Sequence, residues 1–243
     1  AYSGQAEVSF LPQQIHGDVS GQGGLLVALP AFQRMDVMDK TGYDAVWLAE
    51  HHFDGGCAYV DPVIFASAIA ARTTRLKVGT AVLLLPLSSP IRIAEEAATL
   101  DHVSLGRFEF GVGRSGLPGA YEGYNISYAE SRDRFYEALD IIIKAWTNER
   151  FSHRGTFYSY DDVCLVPKPY QLPHPPIRMA ATTSDTFPII GRMGFPLFVG
   201  IRTLDLSDVA EQVQSYKQAW GEAGHPGPID VSLRVPVYVA ESR

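Results

Sequence analysis

Two adjacent histidines behind an acidic residue, Glu50-His51-His52, are the residues best suited to chemistry in this sequence. They follow the apolar segment 44–49, which is typical of a buried strand. Neighbouring side chains on an extended segment point to opposite sides, so only one histidine can face a site at the strand's end. Acid–base chemistry, a metal site and a structural pair are all open interpretations. Metal is the weakest, because adjacent histidines lack the i, i+4 spacing of a helical zinc pair.

A glycine-rich segment, Gly111-Val-Gly-Arg-Ser-Gly116, follows another strand candidate and matches the spacing of a dinucleotide-binding loop. Such a loop requires a helix to begin at once, whereas we expect Leu117-Pro-Gly119 to interrupt the chain here. Arg114 suggests a different chemistry, because a guanidinium beside a glycine-lined turn can hold a phosphate through two hydrogen bonds. The alternative is a tight turn with a solvent-facing arginine.

A run of hydroxyl residues, Thr182-Thr-Ser-Asp-Thr186, lies between a strand candidate and a predicted helix over 187–193. Hydroxyl and amide groups at a helix N-terminus bind phosphate well. The run can also cap the helix through Ser184 or Asp185. The two interpretations are compatible.

Short apolar runs alternate with helical patterns, which predicts parallel strands buried on both faces. The predicted strands are 7–11, 44–49, 77–85, 107–112, 177–181, 196–201 and 231–239. Asp61-Pro62 and Ser89-Pro90 each place a capping side chain before a proline and predict helix starts. Further helices are predicted over 131–146 and 206–223, and the stretch 150–176 is predicted to be a hairpin or irregular insertion.

The fold class predicted is α/β, a (β/α)8 TIM-type barrel forming a single domain over 1–243. Seven strands suit a doubly wound sheet as well as a barrel, so the count does not decide. Polar or glycine-rich segments, however, follow several different strands, and sites assembled from many strand ends are typical of barrels, whereas an open sheet concentrates them at one switch point.

Composition excludes several classes of partner. The formal net charge is −7, and the 20 Lys and Arg residues form no basic run, so we expect no nucleic-acid partner. The longest apolar run, 78–86, is far shorter than the roughly 20 residues that span a bilayer, so we expect no membrane segment. Cys57 and Cys164 fit no metal or redox spacing. We predict a cytoplasmic protein with a small-molecule substrate.

The chain resembles the bacterial luciferase-like monooxygenase family over nearly its whole length. The resemblance lies in five segments, in the family's order and spacing: Gly42-Tyr-Asp-Ala-Val-Trp-Leu-Ala-Glu-His-His-Phe53, Val78-Gly-Thr-Ala-Val82, Pro90-Ile-Arg-Ile-Ala-Glu-Glu96, Leu100-Asp-His-Val-Ser-Leu-Gly-Arg-Phe108 and Gly111-Val-Gly-Arg114. It implies a luciferase-like barrel that binds reduced FMN, reacts it with O2 to a C4a-hydroperoxyflavin and oxygenates an organic substrate. The family continues past the seventh strand, so either the chain is trimmed or the barrel is open.

The resemblance also implies roles for individual residues. His51 would be the active-site acid–base residue. The FMN site would comprise a non-proline cis peptide at Ala81-Val82 under the flavin ring, and Arg114, Ser115, Thr182, Thr183 and Thr186 around the phosphate. His52 would face a homodimer contact and pair with a buried acid, Glu95. The apolar substrate pocket would be lined by Phe10, Phe53, Leu117, Tyr121 and Ile201.

Departures from the family limit what the resemblance implies. Gly113 replaces the cysteine that true luciferases carry in this turn, so light emission is not expected. A separate NAD(P)H-flavin reductase is implied, because no segment binds NAD(P)H convincingly. The alternatives are a relative that transfers hydride with deazaflavin F420 and a non-catalytic flavin-binding relative. No metal is expected, and the substrate beyond a small hydrophobic molecule is not readable.

Overall fold

A computed structural model describes residues 7–10, 23–53, 60–200 and 206–235, with side chains from residue 31 onward. The chain forms two compact units, Ala1–Pro176 and Ile177–Arg243. We describe each unit by itself. The expectation of one domain over the whole chain stays a prediction.

The first unit contains a parallel sheet. Its strands are β1 (Glu7–Phe10), β2 (Ala45–Leu48), β3 (Lys77–Thr80), β4 (Leu83–Leu84) and β5 (Phe108–Gly113). The order is β1-β2-β3-β5, with β4 beside β5. Every residue of β2 and β5 is buried, as expected for strands covered on both faces. The strand predicted over 77–85 was wrong in two respects: Ala81 and Val82, joined by a cis peptide, lie between β3 and β4, and Leu85 begins a 3-10 helix, Leu85–Leu87.

The described residues of the first unit form the α-helices α1 (Gly23–Thr41), α2 (Pro62–Ala70), α3 (Pro90–Val103), α4 (Pro118–Gly123) and α5 (Ser131–Thr147). Both predicted proline starts are confirmed, but only Asp61 caps with its side chain, accepting from Val63 N at 2.8 Å and Ile64 N at 3.0 Å. The expectation that residues 117–119 prevent a helix from starting directly after the glycine-rich segment was wrong in part. Pro118 is the first residue of α4, a position where its missing N–H costs nothing.

The predicted insertion over 150–176 contains an antiparallel hairpin, β6 (Phe151–Arg154) and β7 (Ser159–Val163). Glu137 of α5 anchors its turn: the carboxylate accepts backbone N–H groups of Thr156, Phe157 and Tyr158 at 2.9–3.2 Å. Burial opposes ionisation of Glu137, but these hydrogen bonds and one from His153 hold its pKa below the usual value. The hairpin is therefore docked on the helix through a charged acceptor.

The second unit contains β8 (Ile177–Ala181), α6 (Thr186–Met193), β9 (Leu197–Gly200), α7 (Leu206–Ala223) and β10 (Val231–Arg234). The three strands are parallel in the order β8-β9-β10. Helices α6 and α7 approach closely at Gly191, where a Cβ would meet the Tyr216 carbonyl. Gly194 ends α6 with a φ of 74°, and α7 has the predicted bounds. In the part of the chain that the structure describes, no helix is long and apolar enough to cross a membrane.

Candidate functional site

The end of β2 carries a buried carboxylate. Glu50 is 8% exposed, and its Oε1 lies 2.5 Å from Nε2 of His52. Its Oε2 accepts the backbone N–H of Leu84 in β4 at 2.7 Å. A contact between residues two apart is what an extended segment gives, since alternate side chains share a side. Glu50 therefore links the end of β2 both to His52 and to β4.

An aromatic cluster lies beside this carboxylate. The Tyr124 hydroxyl lies 3.2 Å from His52 Nδ1, and the two rings meet edge-on, 5.0 Å apart. Phe53, in the left-handed region with a φ of 56°, lies 5.5 Å from the Tyr124 ring and covers Gly123, where a side chain would collide with it. Phe53 is 67% exposed and Tyr124 43% exposed. Burial, and then the charges of Glu50 and Asp61, raise the pKa of Tyr124.

His51 lies between Glu50 and His52 and is partly buried. The contact between Glu50 and His52 is typical of an extended segment, in which the His51 side chain would point to the opposite side. Its acid–base role stays a prediction. Among the residues that the structure describes, no three His, Cys, Asp or Glu side chains are grouped to hold a metal ion.

The Ala81–Val82 peptide is cis, as the resemblance predicts. The Val82 side chain packs against Gly113 at the end of β5: a Cβ built at Gly113 would lie 2.5 Å from Val82 Cγ2. The Val82 side chain therefore occupies the space that a side chain at position 113 would need. Binding of a flavin ring by Ala81 and Val82 stays a prediction.

The turn after β5 holds Arg114 and Ser115. Arg114 Nη1 donates to the buried Oγ of Ser131, the first residue of α5, at 3.1 Å. Ser115 has a φ of 63°, and its Oγ accepts the Leu117 N–H at 3.1 Å. Tyr121 donates its hydroxyl to the Arg114 carbonyl. The guanidinium is thus held beside a helix N-terminus, a suitable environment for a phosphate.

In the second unit, the predicted hydroxyl cluster lies at the start of α6. Thr183 Oγ1 lies 2.6 Å from Asp185 Oδ1 and 2.9 Å from Thr186 Oγ1. Asp185 is the N-cap residue but makes no side-chain cap bond. Its carboxylate oxygen instead accepts the Thr183 hydroxyl. Thr182 is exposed.

The predicted substrate-pocket residues differ in placement. Phe53 and Leu117 are exposed, at 67% and 53%. Tyr121 is fully buried in a cluster with Leu84 and Leu87, and its pKa is raised to about 12, chiefly by burial. Its observed contacts are those of a residue supporting the Arg114 turn. The Phe10 side chain and Ile201 lie outside the described part of the structure.

The predicted pair of His52 with Glu95 across a dimer contact stays a prediction, since the structure contains one chain. Glu95 is partly exposed on α3, and the buried acid that contacts His52 is Glu50. Both ring nitrogens of His52 have partners within the chain, so a bond to Glu95 would have to displace one of them.

Sequence reasoning did not predict the contacts of three residues in this region, Glu50, Tyr124 and Ser131. Glu50 could have been found from the i, i+2 alternation of Glu50 and His52. Tyr124 and Ser131 could not, because their contacts with His52 and Arg114 join residues 72 and 17 positions apart. No local pattern encodes such contacts.

Comparisons with known proteins place the chain in a family. Residues 9–243 match the model of the luciferase-like monooxygenases. The chain is 30% identical over 213 residues to 4-hydroxyprotoasukamycin monooxygenase of Streptomyces nodosus subsp. asukaensis, covering 85% of this chain and 57% of that protein. The chain spans about half the length of the curated relatives it matches.

Two solved structures are similar. The monooxygenase RslO1 from Streptomyces bottropensis has a TM-score of 0.90 and 28% identity, covering 98% of this chain and 72% of that one. The oxygenating constituent of 3,6-diketocamphane monooxygenase from Pseudomonas putida, in complex with FMN, has a TM-score of 0.81 and 20% identity, covering 92% and 65%, and shows the fold alone. The chain belongs to the luciferase-like monooxygenase family, and the predicted luciferase-like α/β barrel fold class is confirmed.

Proposed function

We propose that the protein is the oxygenase component of a two-component monooxygenase, which uses reduced FMN and O2 to oxygenate a small hydrophobic molecule. The observation that carries the proposal is the grouping of Glu50-His51-His52, Val82 and Gly113 at the ends of neighbouring strands in a chain of this family. In barrels, catalytic residues lie at the carboxyl ends of strands. When bound, reduced FMN supplies the activation of O2 and the transfer of one oxygen atom.

The residues of each unit suit the parts of FMN. In the first unit, Arg114 beside the start of α5 would bind phosphate together with Ser115, and Ala81-Val82 would support the ring. In the second, Thr182, Thr183 and Thr186 at the start of α6 offer hydroxyl and amide donors.

His51 would hold and move a proton near the reacting atoms, because an imidazole titrates near neutral pH. We expect His51→Ala to lower turnover by roughly 10²- to 10⁴-fold while FMN binding stays within about twofold. Flavin fluorescence titration and oxygen-consumption assays measure the two effects. Unchanged turnover in this variant would exclude His51 from the chemistry.

The substrate would be apolar, with Phe10, Phe53, Leu117, Tyr121 and Ile201 as the predicted lining. A separate NAD(P)H-flavin reductase would supply reduced FMN, and the protein would act as a homodimer. The deciding experiment supplies such a reductase and screens hydrophobic compounds for an O2-dependent gain of one oxygen atom by mass spectrometry. A parallel titration with F420, followed by an assay of hydride transfer without O2, tests the alternative cofactor. FMN binding without any O2-dependent product would favour a non-catalytic relative.

A further inference from the structure

The first unit contains a hydrogen-bonded chain that the proposed chemistry does not use, formed by Glu50, His52 and Tyr124. It runs from Glu50 Oε1 to His52 Nε2 at 2.5 Å, and from His52 Nδ1 to the Tyr124 hydroxyl at 3.2 Å. The side chains of Glu50 and His52 are only 7% and 10% exposed, whereas Tyr124 is 43% exposed. This hydrogen-bonded chain therefore begins at a buried carboxylate, Glu50, and ends at an exposed phenol, Tyr124.

With Glu50 ionised and His52 neutral, the three groups give the hydrogen-bonded chain one direction. An ionised carboxylate only accepts hydrogen bonds, so His52 Nε2 donates to Glu50. In the neutral imidazole, Nδ1 is then an acceptor, and the Tyr124 hydroxyl donates to it. The single proton of Tyr124 is used in this way, which leaves its oxygen as an acceptor toward the exposed side. Burial, Glu50 and Asp61 all raise the pKa of Tyr124, so the phenol keeps the proton that this arrangement needs.

The open end of the chain lies beside a predicted substrate residue. The Tyr124 ring lies 5.5 Å from Phe53, and both rings are exposed. Phe53 follows the end of β2, and Tyr124 follows α4 after β5, so both belong to the strand ends where barrel sites lie. In an apolar site, a fixed polar atom determines which functional group of a ligand is accepted.

We propose that Tyr124 determines specificity by accepting a hydrogen bond from a hydroxyl group of the substrate, and that Glu50 and His52 are positioning residues that set the direction of this bond. The inference rests on the proposed function, because it uses the same substrate site. The substrates selected are apolar molecules with a hydroxyl group. A ketone or aldehyde has no proton to donate and is disfavoured.

Glu50→Gln should reverse the direction of both hydrogen bonds while keeping a side chain of nearly the same size. Glu50 Oε2 accepts the Leu84 N–H at 2.7 Å, so the amide oxygen of the variant must take that place and its NH2 group must face His52. Nε2 then accepts, Nδ1 carries the proton and donates to Tyr124, and the tyrosine hydroxyl is free to donate outward. The variant should therefore accept a carbonyl group.

The test measures binding of 2-naphthol and 2-acetonaphthone to the purified protein by equilibrium dialysis at one fixed pH. We expect the wild type to prefer 2-naphthol by about three- to tenfold, which is the contribution of one hydrogen bond. Tyr124→Phe should abolish the preference. Glu50→Gln should raise the affinity for 2-acetonaphthone by a similar factor, and ¹⁵N NMR should show the His52 proton moved from Nε2 to Nδ1.

Tyr170→Phe is the matched control, because Tyr170 is 53% exposed and also meets a histidine, His102, edge-on. It should leave both affinities unchanged. The proposal is overturned if the wild type shows no preference for 2-naphthol, if the preference survives in Tyr124→Phe, or if the His52 proton stays on Nε2 in Glu50→Gln. Dialysis requires neither cofactor nor O2, so an intact preference without oxygenation would reject the proposed function and leave this inference standing.

Discussion

The contact between Val82 and Gly113 gives a quantitative prediction for the candidate site. A Cβ at Gly113 would lie 2.5 Å from Val82 Cγ2, well inside van der Waals contact. Gly113 pairs with Leu84 in the sheet, so its backbone resists movement, and the branched Val82 side chain has few rotamers to escape into. Because Val82 is only partly buried, the overlap is relieved in part by a shift of its side chain. We expect Gly113→Ala to lower the free energy of unfolding by about 1–3 kcal/mol.

Removing the opposing methyl groups should restore most of this loss. Val82→Ala alone should cost about 1 kcal/mol, because the methyl groups that it removes are half-buried. The double variant should be more stable than the sum of the single effects predicts, by about 1–2 kcal/mol. A cysteine at position 113 would place its Cβ in the same position, so it too would require a residue smaller than valine at position 82.

Urea denaturation of the four proteins, followed by circular dichroism, measures this coupling. Gly116→Ala is the matched control, since a Cβ there would meet no atom within 4 Å, and it should change stability little. Strictly additive effects of the two substitutions would refute the reasoning. A Gly113→Ala protein as stable as the Gly116→Ala protein would also refute it.

Two further predictions concern stability and assembly. Burial opposes ionisation of Asp39, but backbone N–H groups of Thr74, Leu76 and Arg75 lower its pKa from 3.8 to about 2. Its stabilisation, about 1–2 kcal/mol after allowance for solvent screening, is complete above about pH 5 and is lost as the pH falls toward 2. Urea midpoints of wild type and Asp39→Asn should therefore converge over that range, with Asp133→Asn, at an exposed position, as control. Glu95→Gln should weaken a homodimer in sedimentation experiments, with Glu122→Gln as control; an unchanged dimer would exclude the His52–Glu95 pair.

Most element bounds could be predicted because they depend on local signals. Short apolar runs predicted the strands, an amphipathic pattern predicted α7, and a capping residue type before proline predicted the starts of α2 and α3. The errors also have local causes. The apolar run 77–85 has no residue that announces the break at Ala81–Val82, and Pro118 suits a helix start as well as an interruption.

The candidate site was predictable only where its contacts follow the chain. His51 and His52 were separated by strand alternation, and the contact between Glu50 and His52 is consistent with that separation. The partner chosen for His52 came from the family resemblance, whereas within the chain its nearest acid is two residues away. Tyr124 reaches His52 only because α4 follows β5, which is a property of the fold and of no short segment.

In the sheet of the first unit, polar side chains at the amino ends of the strands make different contacts from those at the carboxyl ends. At the amino ends of β3 and β5, Arg107 donates to the carbonyls of Ala70, Thr73, Leu76 and Ser104, and Asp39 accepts the N–H groups of the loop 74–76. These hydrogen bonds join backbone to side chain and close the loops. At the carboxyl ends, one oxygen of Glu50 also accepts a backbone N–H, that of Leu84. Its other oxygen contacts His52, which in turn contacts the exposed Tyr124 hydroxyl. Substitutions of Arg107 or Asp39 should therefore change stability, whereas substitutions of His52 or Tyr124 should change which ligands bind.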